Sequence, residues 1–117
     1  MDLNISSSVN NGIVLVRVAG EIDMFTSPNL RDTLLPCFTP STSGIVVDLS
    51  GVSFMDSSGI ATLVEGLQWS RKEKRKFILT GLGKTVFNAL SLTKLDNVFS
   101  IETDVDKALA GMGNKDG

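Results

Sequence analysis

Asp56, Ser57, Ser58 and Gly59 stand together in the stretch VVDLSGVSFMDSSGIATLVEGL, between a short β-branched run and a segment of helical spacing. A serine hydroxyl at such a junction can cap a helix, attack a substrate, or accept a phosphoryl group. Capping needs only one oxygen beside the first free N–H groups of the helix, and Ser and Asp are favoured there. Nucleophilic attack needs a base. The chain has no histidine, which removes a Ser-His-Asp arrangement and the commonest general base near neutral pH. Asp56 or a lysine would have to serve, and the G-x-S-x-G elbow is absent. Phosphorylation needs an exposed hydroxyl and adds roughly −1.5 to −2 charge at pH 7. At a helix N-terminus that charge meets free N–H groups and the positive end of the helix dipole, so the fold can bear it. A partner docked over the turn would be repelled.

The elements that position this turn follow from hydrophobic period and turn residues. Leu3 to Val9 alternates, Ile13 to Val18 is a denser β-branched run, and Asn10-Asn11-Gly12 between them suits the positive φ of a tight hairpin. Ser27 before Pro28 predicts a capped helix start, with Leu30, Leu34 and Phe38 on its inner side and Pro36 kinking or ending it. Ile45 to Leu49 reads as a strand buried on both faces. A helix from about Ser57 then carries Ile60, Leu63, Val64 and Leu67 as one apolar stripe and ends in the basic cluster Arg71, Lys72, Lys74, Arg75 and Lys76. Phe77 to Leu79 is a further strand. Val86, Phe87 and Leu90 mark one side of a third helix, Val98 to Ile101 a last short strand, and Thr103 to Met112 a final helix with Thr103 and Asp106 as a capping pair. The order β-β-α-β-α-β-α-β-α predicts an α/β fold: a mixed, mainly parallel sheet with an antiparallel N-terminal edge hairpin and about four packed helices. The DSSG turn then lies at the carboxyl end of a parallel strand, where sites of open α/β sheets gather.

Composition narrows the function classes. At 117 residues, 42% hydrophobic and 21% charged, the chain suits one globular domain, spanning 1–112 with a fraying tail at 113–117. A net charge of −2 offers no basic footprint for nucleic acid. The one cysteine, Cys37, excludes an internal disulfide and a cysteine-built metal site. Gly81 and Gly83 are too little for a nucleotide loop, so no cofactor is expected. No secretory leader pattern or membrane-length apolar run is seen, which predicts a cytoplasmic protein without membrane insertion.

Three segments together carry a resemblance: GEID at Gly20 to Asp23, VVDLSGVSFMDSSG at Val46 to Gly59, and LTKLDNVFSI at Leu92 to Ile101 followed by Asp106-Lys107-Ala108-Leu109. In these the chain resembles the bacterial anti-sigma-factor antagonists, single-domain members of the STAS family, from about Ile13 to Leu109. The resemblance implies a STAS-like sheet with helices packed over it, and a regulatory protein rather than an enzyme. It implies a partner switch in which the unphosphorylated antagonist binds an anti-sigma factor that is a GHKL-type serine kinase, releasing a sigma factor. The kinase then phosphorylates the antagonist and a PP2C-type phosphatase reverses the step. By position in the motif the phosphoacceptor falls on Ser57, with Ser58 second and better suited to capping or packing. Asp23 and Asp56 would flank the partner surface with Gly59. The chain departs from the family in carrying Thr62 and Glu65 after the serines and Lys94 where glycine is frequent, and a left-handed lysine there would cost about 1–2 kcal/mol unless another cap is used.

Some residues keep two readings. Asp23 is either a partner contact or a turn carboxylate after a strand. Met24 and Phe25 extend an exposed apolar surface or form the buried entry to the first helix. Trp69 lies roughly opposite the apolar stripe, as an aromatic anchor for a partner or packed on a neighbouring loop. A non-switching STAS scaffold, or an accessory subunit of a signalling or lipid-transport assembly, is the alternative function.

Overall fold

The computed structural model describes residues 3–113. Its elements are β1 (Leu3–Asn10), β2 (Ile13–Ile22), α1 (Ser27–Leu34), a 3-10 turn (Leu35–Cys37), β3 (Gly44–Met55), α2 (Ser57–Lys72), β4 (Lys76–Thr80), α3 (Lys84–Leu92), β5 (Ser100–Glu102) and α4 (Val105–Gly113). The five strands form one sheet in chain order, with β1 antiparallel to β2 and the other pairs parallel. Asn11 and Gly12, at φ 55° and 81°, make the tight turn that the Asn-Gly pair predicts.

The main core lies between the sheet and α1, α2 and α3. Val16, Ile45, Val47, Leu49 and Leu79 meet Leu30, Leu34, Leu63, Val86 and Leu90, all fully buried. On the other face α4 covers Val46 and Ile78 with Ala108 and Met112. β3 and β4 are thus sandwiched, which is why Ile45 to Leu49 is an unbroken apolar run.

Several boundaries differ from the sequence expectation. β3 does not end near Leu49. It continues through Ser50-Gly51-Val52-Ser53 to Met55 because β2 runs beside it as far as the Ile22–Met55 pair, with register shifts at Arg17/Ala19 and Gly20/Glu21. Ser27 does not cap α1. It is buried in the first turn, and the N-cap residue, Thr26, directs its hydroxyl elsewhere. Pro36 ends α1, and the chain tightens into the 3-10 turn. Phe87 is 41% exposed, one position off the Val86–Leu90 face. β5 starts at Ser100, with Val98 and the buried Phe99 in the turn before it. Asp104, not Thr103, caps α4, accepting the Lys107 N–H at 2.9 Å. α4 reaches Gly113, one residue past the expected Met112, and the expected fraying of 114–117 lies outside the described residues.

Lys94 does occupy the left-handed position, at φ 61°, so no alternative cap is used. Leu95 N–H donates to Leu90 O at 2.9 Å and Lys94 N–H to Ser91 O at 3.0 Å, a complete Schellman end to α3. α2 ends the same way on Lys74, at φ 58°, with Arg75 N–H to Ser70 O at 2.7 Å and Lys74 N–H to Arg71 O at 3.2 Å.

Candidate functional site

β2 and β3 finish side by side, and the N–H of Asp56 donates to Ile22 O at 3.0 Å. That bond holds the start of α2 beside the turn that follows β2. In this turn Asp23 Oδ1 accepts the N–H groups of Phe25 at 2.9 Å and Thr26 at 3.0 Å, while the Thr26 hydroxyl donates to Glu21 O at 2.8 Å. The Asp23 carboxylate is therefore engaged in shaping the turn. The shape turns Met24 and Phe25 outward, 67% and 82% exposed, so they are not a buried entry to α1. Phe54, on the last stretch of β3, is also exposed.

Asp56 is the N-cap of α2. Its extended backbone (φ −100°, ψ −170°) lets Oδ1 accept the N–H of Ser58 at 2.9 Å and of Gly59 at 3.4 Å, together with the Ser58 hydroxyl. The carboxyl pKa is held below its ordinary value, chiefly by the Ser58 hydroxyl; partial burial opposes the shift, and the N–H groups of Ser58, Gly59 and Met24 add to it. Asp56 is accordingly an anion at neutral pH.

The two serines are thereby divided. Ser58 has its hydroxyl on Asp56, and its carbonyl accepts the Thr62 hydroxyl at 3.1 Å. Ser57 is exposed, and its hydroxyl has no hydrogen-bond partner among the described residues. Gly59 is buried, and a methyl group there would sit 2.6 Å from Ile22 Cγ2 and 2.7 Å from Met55 Cγ. Glycine at 59 lets the first turn of α2 lie directly on the sheet, so its contribution is close packing that fixes where Ser57 emerges.

Trp69 stands apart from this cluster. It is twelve residues beyond Ser57 on α2, about 18 Å along the axis at 1.5 Å per residue. Half-buried, it packs edge-to-face on Phe38 with ring centroids 5.7 Å apart, and the Arg31 guanidinium lies 5.7 Å from its ring centre. Arg31 also forms a two-pronged pair with Glu65 at 2.9 and 3.1 Å, which raises the guanidinium pKa further. Trp69 and Glu65 thus join α1 to α2, and Thr62 is buried, so neither Thr62 nor Glu65 alters the surface around Ser57. Phe54 and Thr26 escaped the sequence reading: an exposed phenylalanine on the final stretch of β3 becomes visible only once that strand is known to reach Met55.

The site can therefore present an unengaged hydroxyl beside a fixed carboxylate and an apolar rim. Among the described residues it has no base bonded to Ser57 and no group of three or more side chains able to hold a metal ion.

A model of the STAS domain matches residues 4–108. The anti-sigma-B factor antagonist of Staphylococcus aureus (strain NCTC 8325 / PS 47) is 29% identical over 101 residues, 86% of this chain and 94% of that protein. The crystal structure of an anti-sigma factor antagonist from Mycobacterium paratuberculosis superposes with a TM-score of 0.87 at 29% identity, covering 97% of this chain and 96% of the other. The Bacillus cell fate determinant SpoIIAA in its phosphorylated form shares the fold, with a TM-score of 0.70 at 20% identity, over 94% of this chain and 98% of that one.

Proposed function

This chain belongs to the STAS domain family, and we propose that within it the protein is a non-enzymatic anti-sigma-factor antagonist switched by phosphorylation of Ser57. Unphosphorylated, it binds an anti-sigma factor through the edge formed by Asp23, Met24, Asp56 and Ser57, and the sigma factor is released. The anti-sigma factor is a GHKL-type serine kinase that transfers the γ-phosphoryl group of ATP to Ser57 Oγ, leaving ADP, and a PP2C-type phosphatase hydrolyses the ester.

The observation that carries this reading is the division of labour between the serines. Ser58 is consumed by Asp56, whereas Ser57 is exposed and unengaged at the same helix start. A phosphoryl group on Ser57 changes nothing in the core. It adds a dianion beside the Asp56 carboxylate, and a partner surface complementary to Met24, Phe25 and the two carboxylates of Asp23 and Asp56 must then face about four negative charges. The relatives' names, and the existence of a phosphorylated protein of the same fold, support the reading.

Incubation with ATP, Mg²⁺ and a cognate kinase, read by mass spectrometry, should add one phosphate, on Ser57, and Ser57→Ala should remove it. Ser57→Asp should weaken binding to the kinase by roughly tenfold or more, the scale of an added like charge at an interface, while Ser57→Ala binds as tightly as the parent. Phosphate confined to Ser58, or equal binding by Ser57→Asp and Ser57→Ala, would refute the assignment.

A further inference from the structure

We propose that two copies of this chain pair along β1, antiparallel, with a two-fold axis through Ser6. β1 lies at one end of the sheet, so its outer row of N–H and C=O groups faces away from β2. Folded proteins commonly protect such an edge with charge, proline, a bulge or brevity. β5, at the other end, is three residues long and carries Glu102. β1 has none of these protections. Its eight residues, LNISSSVN, hold no charge and no proline, and its pairing with β2 runs without a register shift from Leu3 to Asn10.

The side chains select the partner and the register. Leu3 and Ile5 pack toward the main core, on the side of the sheet that carries α1, α2 and α3. Val9, on the same side by the two-residue alternation of a strand, is 69% exposed. It borders a cleft of about 420 Å³, with Ser7, Val14, Pro36, Cys37 and Thr42 among the other lining residues. A two-fold axis perpendicular to the sheet at Ser6 sets Leu3 of each copy opposite Val9 of the other and Ile5 opposite Ser7, with like sides facing alike. Both exposed valines then gain an apolar neighbour at the mouth of the cleft, and the two five-stranded sheets become one of ten strands. A different strand would have to match this uncharged, serine-centred pattern; a second copy does so by symmetry. The paired segment is short and buries less than the roughly 1,200 Å² of a standard stable interface, so the association is weak. It lies along the sheet edge and does not use Ser57.

Sedimentation velocity on the full chain from about 10 μM to about 1 mM, bracketing the range of small interfaces, should show concentration-dependent growth from monomer to dimer. In a Cys37→Ser background, Ser6→Cys should form a disulfide-linked dimer under mild oxidation. Residues directly opposite in an antiparallel pair have Cβ atoms about 4.5–5.5 Å apart, close to disulfide range. Ser7→Cys, whose copies would be diagonal neighbours about 7–8 Å apart, should not. Ser6→Lys sets two ammonium groups across the axis and should weaken the dimer roughly tenfold, with circular dichroism unchanged. A monomer at every concentration, or cross-linking by Ser7→Cys in preference to Ser6→Cys, would overturn the proposal.

Discussion

Asp56→Ala is the perturbation whose size follows most directly from the geometry. It removes the N-cap of α2 and three hydrogen bonds to one oxygen, from Ser58 N–H, Gly59 N–H and the Ser58 hydroxyl. Replacing a capping Asp by Ala costs about 0.5–2 kcal/mol. Here the upper half of that range applies, about 1–2 kcal/mol, because the Ser58 hydroxyl loses its partner as well. For a domain near this length that corresponds to a fall in Tm of roughly 4–12 °C. The acid dependence is fixed by the direction of the pKa shift. The folded-state pKa of Asp56 is lowered, so the ionised cap contributes fully above the unfolded value, near 3.9. That contribution is lost as pH falls through the folded value. Urea unfolding of parent and variant at pH 7 and at pH 3 measures both effects. The gap between them should be widest at pH 7 and narrower at pH 3, and Asp56→Asn, which keeps a capping oxygen, should lie closer to the parent than Asp56→Ala does. A gap that is the same at both pH values, or one below about 0.3 kcal/mol at pH 7, well under the usual cost of losing a cap, would refute the assignment of Asp56 as the charged cap that positions Ser57.

Lys74→Gly and Lys94→Gly relieve left-handed lysines at the ends of α2 and α3 and should each stabilise the fold by about 0.5–1 kcal/mol, after allowance for the extra freedom of glycine in the unfolded chain and for the lost cation at a helix C-terminus. Thermal melts of the two single variants and the double variant should show additive increases, and a decrease for either would contradict the Schellman geometry. Gly59→Ala inserts a methyl group against Ile22 and Met55 and should destabilise by about 1–3 kcal/mol despite alanine's better helix propensity; a stabilised variant in urea titration would show that α2 does not lie as close to the sheet as described.

The architecture was legible because its signals are local. Asn11-Gly12 specifies the hairpin, the Ile60–Leu63–Leu67 stripe specifies α2, and the alternation of strands and helices specifies parallel pairing. The extension of β3 to Met55 was not legible, since Ser50-Gly51-Val52-Ser53 has no strand pattern of its own. It is held extended by pairing with Ala19 to Ile22, more than thirty residues earlier in the chain. The caps show the same limit. Ser27 was the cap expected for α1, yet no side chain caps that helix: its N-cap residue is Thr26, whose hydroxyl turns toward Glu21 O instead of the helix. Trp69 was ambiguous on the helical wheel because its partners, Phe38 and Arg31, come from another element. For the site, the DSSG spacing pointed to a serine at a helix start. Which serine is free is decided by one hydrogen bond, from Ser58 Oγ to Asp56, that composition does not encode.

That bond also changes the electrostatics expected of the switch. From sequence alone, the free N–H groups at the start of α2 stood ready to neutralise a phosphoryl group on Ser57. In the structure the N–H groups of Ser58 and Gly59 already point at Asp56 Oδ1, and that of Ile60 donates to Asp56 O at 3.2 Å. The Ser58 and Gly59 donors are thus committed before any phosphate arrives, and only the Ser57 N–H of the first turn has no acceptor among the described residues. With one first-turn N–H left to it, a dianion on Ser57 would gain less local cancellation than an uncapped helix start offers, and would stand beside a carboxylate that is itself ionised, with Met24 and Phe25 exposed along the same edge. A helix start that absorbed the new charge would hide the modification from a partner; one with most of its donors taken presents more of it outward. The capping of α2 by Asp56 therefore does two jobs with one side chain: it fixes the turn from which Ser57 projects, and it limits how far the helix start can mask the charge that Ser57 would carry.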